Sequence, residues 1–238
     1  MTFKIPIQMS PGLHLHMKCE GVHSVSVTNP LSMKNLPWDR YVRLNAVAKA
    51  ILNFRASTVL DVGGYDGAIG YFLPNTKIDL VDPATTGGSI LQLPVADQSY
   101  ECVIAVDVLE HIEPTSRKTA LSELCRVAQK YVILNYPCQD SKEAQTLALK
   151  LTGNSLIREH VEWELPDTEW VLEELDDYGF SGQYKGHTSI AIWLGQYALQ
   201  TLSPEAAVDL NQHLVEHYSE EPQSKPLYHL LSCERRTN

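Results

Sequence analysis

The sequence predicts an α/β domain built on a doubly wound, mostly parallel sheet. Three observations carry this reading. Strand-like and helix-like segments alternate from about residue 38 to residue 137, the pattern of parallel strands covered by helices on both faces. The apolar run Thr58–Val62 passes directly into Gly63-Gly64-Tyr65-Asp66-Gly67 and then into a short helical segment at 68–73. That strand, tight turn and helix start form the unit by which such sheets hold a nucleotide-like ligand at the carboxyl ends of their strands. Finally, 238 residues with 44% hydrophobic content suit one domain with elaborations around a single core.

Taken in order, residues 1–37 are rich in Pro, Ser, His and Met, with turn signals at Ser10-Pro11-Gly12 and Asn29-Pro30. They read as an N-terminal arm or short hairpin ahead of a domain spanning 38–238. From 38 to 54, Tyr41, Leu44, Val47, Ala48 and Ile51 recur at helical spacing, so a helix leads into the first strand. An insertion occupies about 139–178. It holds a helical run at 142–151, a Gly153-Asn154 break, and a helix from Thr168 that Asp167 caps and Gly179 stops. A strand at about 181–185 follows. A second insertion, 189–219, carries two helical patterns, the later one with Ser203 as cap and Pro204 at its first position. Residues 226–235 read as the last strand.

Charge and cysteine usage exclude several classes. Nineteen basic against 29 acidic residues give a net charge of −10. Nucleic-acid binders draw most of their affinity from counterion release at a basic surface, and this chain has no basic cluster beyond Arg235-Arg236. No nucleic-acid partner is expected, and an anionic membrane surface is disfavoured on the same ground. Five scattered cysteines without a C-x-x-C pair point to a reducing compartment. With neither a secretory leader pattern nor a long apolar run, the expectation is a cytoplasmic chain without a membrane partner. Oligomeric state is left undefined.

The glycine turn is neither G-x-G-x-x-G nor a phosphate-binding G-x-x-x-x-G-K-S/T loop. Asp61-x-Gly63-x-Tyr65-x-Gly67 instead resembles motif I of the class I S-adenosylmethionine-dependent methyltransferases. Downstream, Ile78-Asp79-Leu80-Val81-Asp82-Pro83 is similar to the second strand with its terminal acid. Residues 92–112, Leu-Pro-Val-Ala-Asp-Gln-Ser-Tyr and onward to Leu109-Glu110-His111, resemble the LPF-x-D-x-SFD to LEH stretch of the small-molecule, type 11-like branch. Residues 121–127 and 131–137 match the continuation. The resemblance covers about 38–137. It implies a Rossmann-like methyltransferase fold with seven strands in the order 3-2-1-4-5-7-6, helical insertions, and S-adenosyl-L-methionine as cofactor. Two positions depart from the pattern: Tyr65 replaces the middle glycine, and Ser89 stands where many members place an adenine-binding aspartate.

The resemblance places cofactor contacts at Asp61, Gly63, Gly64, Tyr65, Gly67, Asp82, Pro83, Asp107 and Val108. A carboxylate at 82 can accept from two ribose hydroxyls, or it can simply close a turn. Asp61 can reach the ammonium of the methionine moiety, or hold turn amides. His111 and His160 are the candidate catalytic bases, because an imidazole can take a proton from an attacking hydroxyl or amine near neutrality. His160, beside Glu159, Glu162 and Trp163, falls in the first insertion, where this family builds its substrate pocket. A similar acid-x-x-Glu-His run helps bind a divalent metal in some O-methyltransferases. Many relatives carry Leu-Glu-His without one, ligand spacing is poorly specific, and no metal is assigned from the sequence. His213 and His217 share a helix face without a third ligand. The expected activity is methyl transfer to oxygen or nitrogen of a small-molecule substrate. The alternatives are a non-catalytic cofactor-binding protein and a methyltransferase of a protein substrate.

Overall fold

The computed structural model describes residues 9–218 and 225–237. Residues 1–8 of the expected arm, and Ser219 at the end of the last expected helix, lie outside them. Among the described residues one eight-stranded sheet runs β1 (Leu13–Cys19), β2 (Val22–Val27), β4 (Lys77–Val81), β3 (Thr58–Val62), β5 (Tyr100–Val106), β6 (Ala128–Pro137), β8 (Pro226–Arg235), β7 (Phe180–Ser189). The four central strands β4-β3-β5-β6 are parallel, and both margins are antiparallel. β3 is central, as its unbroken apolar run requires: four of its five residues are buried.

The expected seven-strand count is corrected at one edge. The place beside β4, reserved for a parallel strand from the segment after Pro83, is taken by β2 of the N-terminal hairpin. β2 pairs antiparallel with β4 through His23–Leu80 and Ser24–Asp79. The physical reason lies in both segments. Residues 84–99 contain Gly87, Gly88 and Pro94, which interrupt a ladder, and they form only the isolated bridge Ser89–Gln92. β2 reads Val-His-Ser-Val-Ser-Val, alternating and β-branched. Asp79, fully buried in β4, fastens the hairpin by accepting from Ser24 Oγ at 2.6 Å, Lys18 Nζ at 2.5 Å and Tyr100 OH at 2.8 Å.

Helices α1 (Trp38–Phe54) and α2 (Pro114–Val127) lie on opposite faces, each over its own apolar layer. The segment after Gly67 is a short 3-10 turn, Ala68–Phe72, rather than an α-helix. The first insertion holds α3 (Lys142–Thr152), α4 (Ser155–Glu162) and α5 (Thr168–Asp177). α4 has no counterpart in the sequence reading. Asn154 starts it by accepting the Leu156 N–H at 2.8 Å, straight after the left-handed Gly153 that ends α3. Asp167 caps α5 through the Trp170 N–H, as its position implies. The second insertion is the pair α6 (Ile190–Leu202) and α7 (Pro204–His217); Ser203 precedes α7 but its side chain makes no capping bond. A third apolar cluster joins Trp38 and Val42 of α1 to Ala148, Ile157, Trp193 and Leu214. α3, α4, α6 and α7 therefore pack as one cap over the start of α1, at the carboxyl edge of the sheet, while α5 packs in the layer of α2. No described helix is long and apolar enough to cross a membrane.

Candidate active site

A cavity of about 890 Å³ opens between the carboxyl ends of β3, β4 and β5 and the cap. Ten of the eleven residues singled out in the sequence line it: Asp61, Gly63, Gly64, Tyr65, Asp82, Pro83, Asp107, Val108, His111 and His160. Gly67 is the exception. Its α-carbon faces Val25 of the hairpin, where a Cβ would approach Val25 Cγ2 to 2.6 Å, so it serves strand-to-turn packing rather than the cavity wall.

Asp61 leaves β3 buried, with Oδ1 lacking any hydrogen-bond partner, while Oδ2 abuts the α-carbon of Gly64. Burial pushes its carboxyl up to about 7; Arg40 opposes the rise, and Asp82 and Asp66 add to it. Gly63 has φ +79 and rests against Val108, so the turn needs glycine for conformation as well as space. Tyr65 also sits in the left-handed region, φ 57, with its ring partly exposed. The position that normally takes glycine here holds a bulky residue, anchored by its N–H donating to Asp82 Oδ2 at 3.1 Å.

Asp82 combines the two readings offered by the sequence. Oδ1 closes its own turn, accepting from the Ala84 and Thr85 N–H groups and the Thr85 hydroxyl. Oδ2 accepts only from Tyr65 and keeps acceptor capacity at the cavity wall.

Two groups that pattern reasoning missed organise the rim. Asp66, fully buried, accepts from Ser10 N–H and Oγ, Arg40 Nη2 and the Ala68 N–H, tying the arm and α1 to the glycine turn. Its place inside the glycine cluster was the available signal. Asn135 on β6 accepts from His187 Nε2 at 2.6 Å and faces Asp107 Oδ1 at 3.4 Å. Nothing local in the sequence marks that link, which spans β6 and β7. Arg43, noted only as part of the first helix, bridges Asp107 at 3.0 Å and Asp39 at 3.1 Å and donates to the Tyr228 hydroxyl. Burial works to lower its pKa, yet these partners hold it above the ordinary guanidinium value. Asp107 has φ 56, and burial raises its carboxyl despite Arg43.

At the far wall, the 3-10 turn Leu109–His111 meets α4. His111 Nδ1 lies 2.6 Å from Glu159 Oε2, its Nε2 faces His160 Nε2 at 3.3 Å, and His160 Nδ1 lies 3.1 Å from Gln145 Oε1. Burial, then His111 and Arg43, drives the His160 imidazole down to about 3. Glu110 is fully buried, and burial followed by Asp107 raises its carboxyl well above the usual range. His187 sits behind Asn135 rather than at the cavity, and His213 and His217 stack on α7 away from it.

Residues 71–134 match the methyltransferase domain family. The matched stretch runs from the turn after β3 to β6, through the parallel centre of the sheet. Solved structures agree in fold. One is an S-adenosylmethionine-dependent methyltransferase from Thermotoga maritima (TM-score 0.54, 14% identity, covering 84% of this chain and 94% of that one). Another is a Galdieria sulphuraria protein provisionally named a sarcosine dimethylglycine methyltransferase (0.52, 12%, 82% and 86%). A third is an O-methyltransferase family protein from Burkholderia thailandensis (0.50, 12%, 88% and 60%). The sequence matches no curated protein.

The cofactor used by the matched family is S-adenosylmethionine, and the residues present fit it. The orphaned, buried Oδ1 of Asp61 suits an ammonium, the glycine turn leaves backbone open to close approach, and Asp82 retains acceptor capacity for a hydroxyl. An ammonium favours the ionised form of Asp61. Below pH 7 the free protein must first lose that proton, so cofactor affinity should rise about tenfold per pH unit and level off above about 7. Calorimetry in buffers of different ionisation enthalpy should register proton release near pH 6. Affinity independent of pH between 5 and 8 would remove Asp61 from the ammonium site.

Proposed function

We propose that this chain is an S-adenosylmethionine-dependent methyltransferase that moves a methyl group to a hydroxyl or amine of a small molecule, with His111, backed by Glu159 and His160, at the acceptor. The observation that carries the reading is the convergence of two walls on one cavity: the Asp61–Asp82 wall suited to the cofactor, and the His111–His160 wall built by the first insertion. The volume of about 890 Å³ falls in the range of small-ligand cavities, about 300–1,000 Å³. Trp163, Trp193, Tyr197 and Tyr228 line it, which supports an acceptor with a flat or apolar body. The net charge of −10 argues against a polyanionic acceptor.

When bound, S-adenosylmethionine supplies a methyl group already activated by its sulfonium, so the chain need not create an electrophile. Its residues bind, orient and handle a proton. Asp61 and Asp82 hold the two polar ends, while Asp107, fixed by Arg43, lies at the carboxyl end of β5 between them and the histidines. The insertions roof the cavity, and the partly exposed His111 meets the acceptor's nucleophilic atom.

The test has two parts. An acceptor screen that follows formation of the demethylated cofactor should yield turnover with hydroxyl- or amine-bearing small molecules, and turnover confined to basic peptides would overturn the reading. Asp82→Ala should weaken cofactor binding by roughly 10- to 150-fold in calorimetry, the loss of about 1.5–3 kcal/mol that accompanies hydrogen bonds to a charged group. Unchanged affinity would make Asp82 a turn residue alone.

A further inference from the structure

The His111–His160 contact cannot be completed by the two rings themselves. Glu159 is an acceptor, so His111 Nδ1 carries the proton that bridges the 2.6 Å contact. Gln145 presents its carbonyl oxygen to His160 Nδ1, which fixes that proton in the same way. In neutral rings both Nε2 atoms are then bare lone pairs, and they face each other at 3.3 Å. Two lone pairs at that distance repel unless a positive centre lies between them.

A single shared proton is one such centre, but it leaves the third member of the cluster unexplained. Glu110 is fully buried, and neither of its carboxylate oxygens has a hydrogen-bond partner. Unpaired burial of both oxygens is costly, and a proton held between the imidazoles does nothing for it. The ligand atoms of Glu110, His111 and His160 all lie within 4.8 Å of one another. Two ligands on one ion at bond lengths of about 2.0–2.1 Å sit about 3.0–3.4 Å apart, the separation found between the two Nε2 atoms.

The geometry points to a divalent transition-metal site formed by Glu110, His111 and His160, with Glu159 and Gln145 as the outer acceptors that orient the two imidazoles. Two imidazole nitrogens with one carboxylate select zinc, cobalt, iron(II) or manganese over magnesium and calcium, which prefer an all-oxygen shell. Outer acceptors on the second ring nitrogen are the usual companions of metal-bound histidine. The site joins the turn after β5 to α4, so an ion there fastens the cap to the sheet edge. Asp107 is not a member, because its carboxylate is committed to Arg43. This inference deepens the proposed function, since it makes the histidine pair the holder of an ion beside the acceptor rather than a pair of free bases.

The test uses the full chain, stripped of metal with a chelator and titrated with Co²⁺. The expected result is one Co²⁺ per chain by elemental analysis, a visible ligand-field spectrum, and a raised Tm with slowed amide exchange in α4. Glu110→Gln and His160→Ala should each weaken binding at least a hundredfold. Glu159→Gln should weaken it by about 10- to 100-fold. His213→Ala with His217→Ala should leave it unchanged. Near-ultraviolet circular dichroism confirms that each variant is folded, and His160→Gln serves if the alanine variant is not. The proposal is overturned by a folded, cofactor-binding chain that takes up no Co²⁺. It is equally overturned by Co²⁺ uptake that survives Glu110→Gln combined with His160→Ala, or by one shared imidazole proton in NMR that Co²⁺ and Zn²⁺ do not displace. Cofactor calorimetry on the same samples separates these failures from a failure of the methyltransferase reading.

Discussion

Replacing His111 by alanine should lower turnover by about a hundred- to ten-thousand-fold while leaving cofactor affinity unchanged. The size follows from its place: a quarter-exposed side chain at the cavity wall, aligned from behind by Glu159 and fixed against His160. The independence of affinity follows from what His111 does not touch. Its side-chain partners are Glu159 and His160, whereas the polar anchors proposed for the cofactor, Asp61 and Asp82, lie at the ends of β3 and β4, and the backbone of Asp107 and Val108 stays in place without the imidazole. Turnover is measured under saturating cofactor, and affinity separately by calorimetry. Glu159→Gln should produce a smaller loss, about tenfold, because the ring keeps a hydrogen bond but loses the charge behind it. Full turnover in His111→Ala, with chelation also without effect, would leave this wall no role beyond shaping the cavity.

Gly64→Ala should reduce cofactor binding by at least a hundredfold and lower Tm by several degrees. The constraint here is not a left-handed backbone but space, because a Cβ at position 64 would overlap the Asp61 carboxylate. Asp61 cannot yield easily, since its strand is paired on both sides, with Leu80 in β4 and Ile104 in β5. Overpacking of this kind costs about 1–3 kcal/mol, and in a chain of this size each kcal/mol moves Tm by about 2–4 °C. The double variant Asp61→Ala/Gly64→Ala separates packing from binding. Removing the carboxylate relieves the overlap, so Tm should recover, while affinity stays low because the ammonium has lost its partner. Recovery of affinity together with Tm would show that Asp61 supports the turn only, and an undisturbed Gly64→Ala variant would contradict the packing itself.

Much of this protein was legible before folding. The alternation from Trp38 to Pro137 determined the parallel centre of the sheet, because fully apolar runs such as Thr58–Val62 are stable only when buried on both faces. The acid-glycine turn after β3 was legible for a related reason: a tight turn with left-handed backbone restricts residue type at each position, and that restriction is local. The termini of α1 and β8 were equally local, set by helical periodicity and by alternation.

Tertiary structure decided the rest. The hairpin competes for an edge whose usual strand is broken by Gly87, Gly88 and Pro94, and only the completed sheet shows that β2 wins it with the help of Asp79. The resemblance makes Gly67 a cofactor contact, yet the same hairpin packs against it through Val25. α4 escaped notice because eight residues carry too little periodicity, and its stability comes from Asn154 and from packing of Ile157 within the cap. That short helix is what carries Glu159 and His160 to His111, 48 and 49 residues away in sequence. Single-residue patterns report which face a side chain occupies. The meeting of Glu110, His111 and His160 depends on how an inserted helix docks against a strand end, which is fixed by long-range burial and leaves no local trace in the sequence.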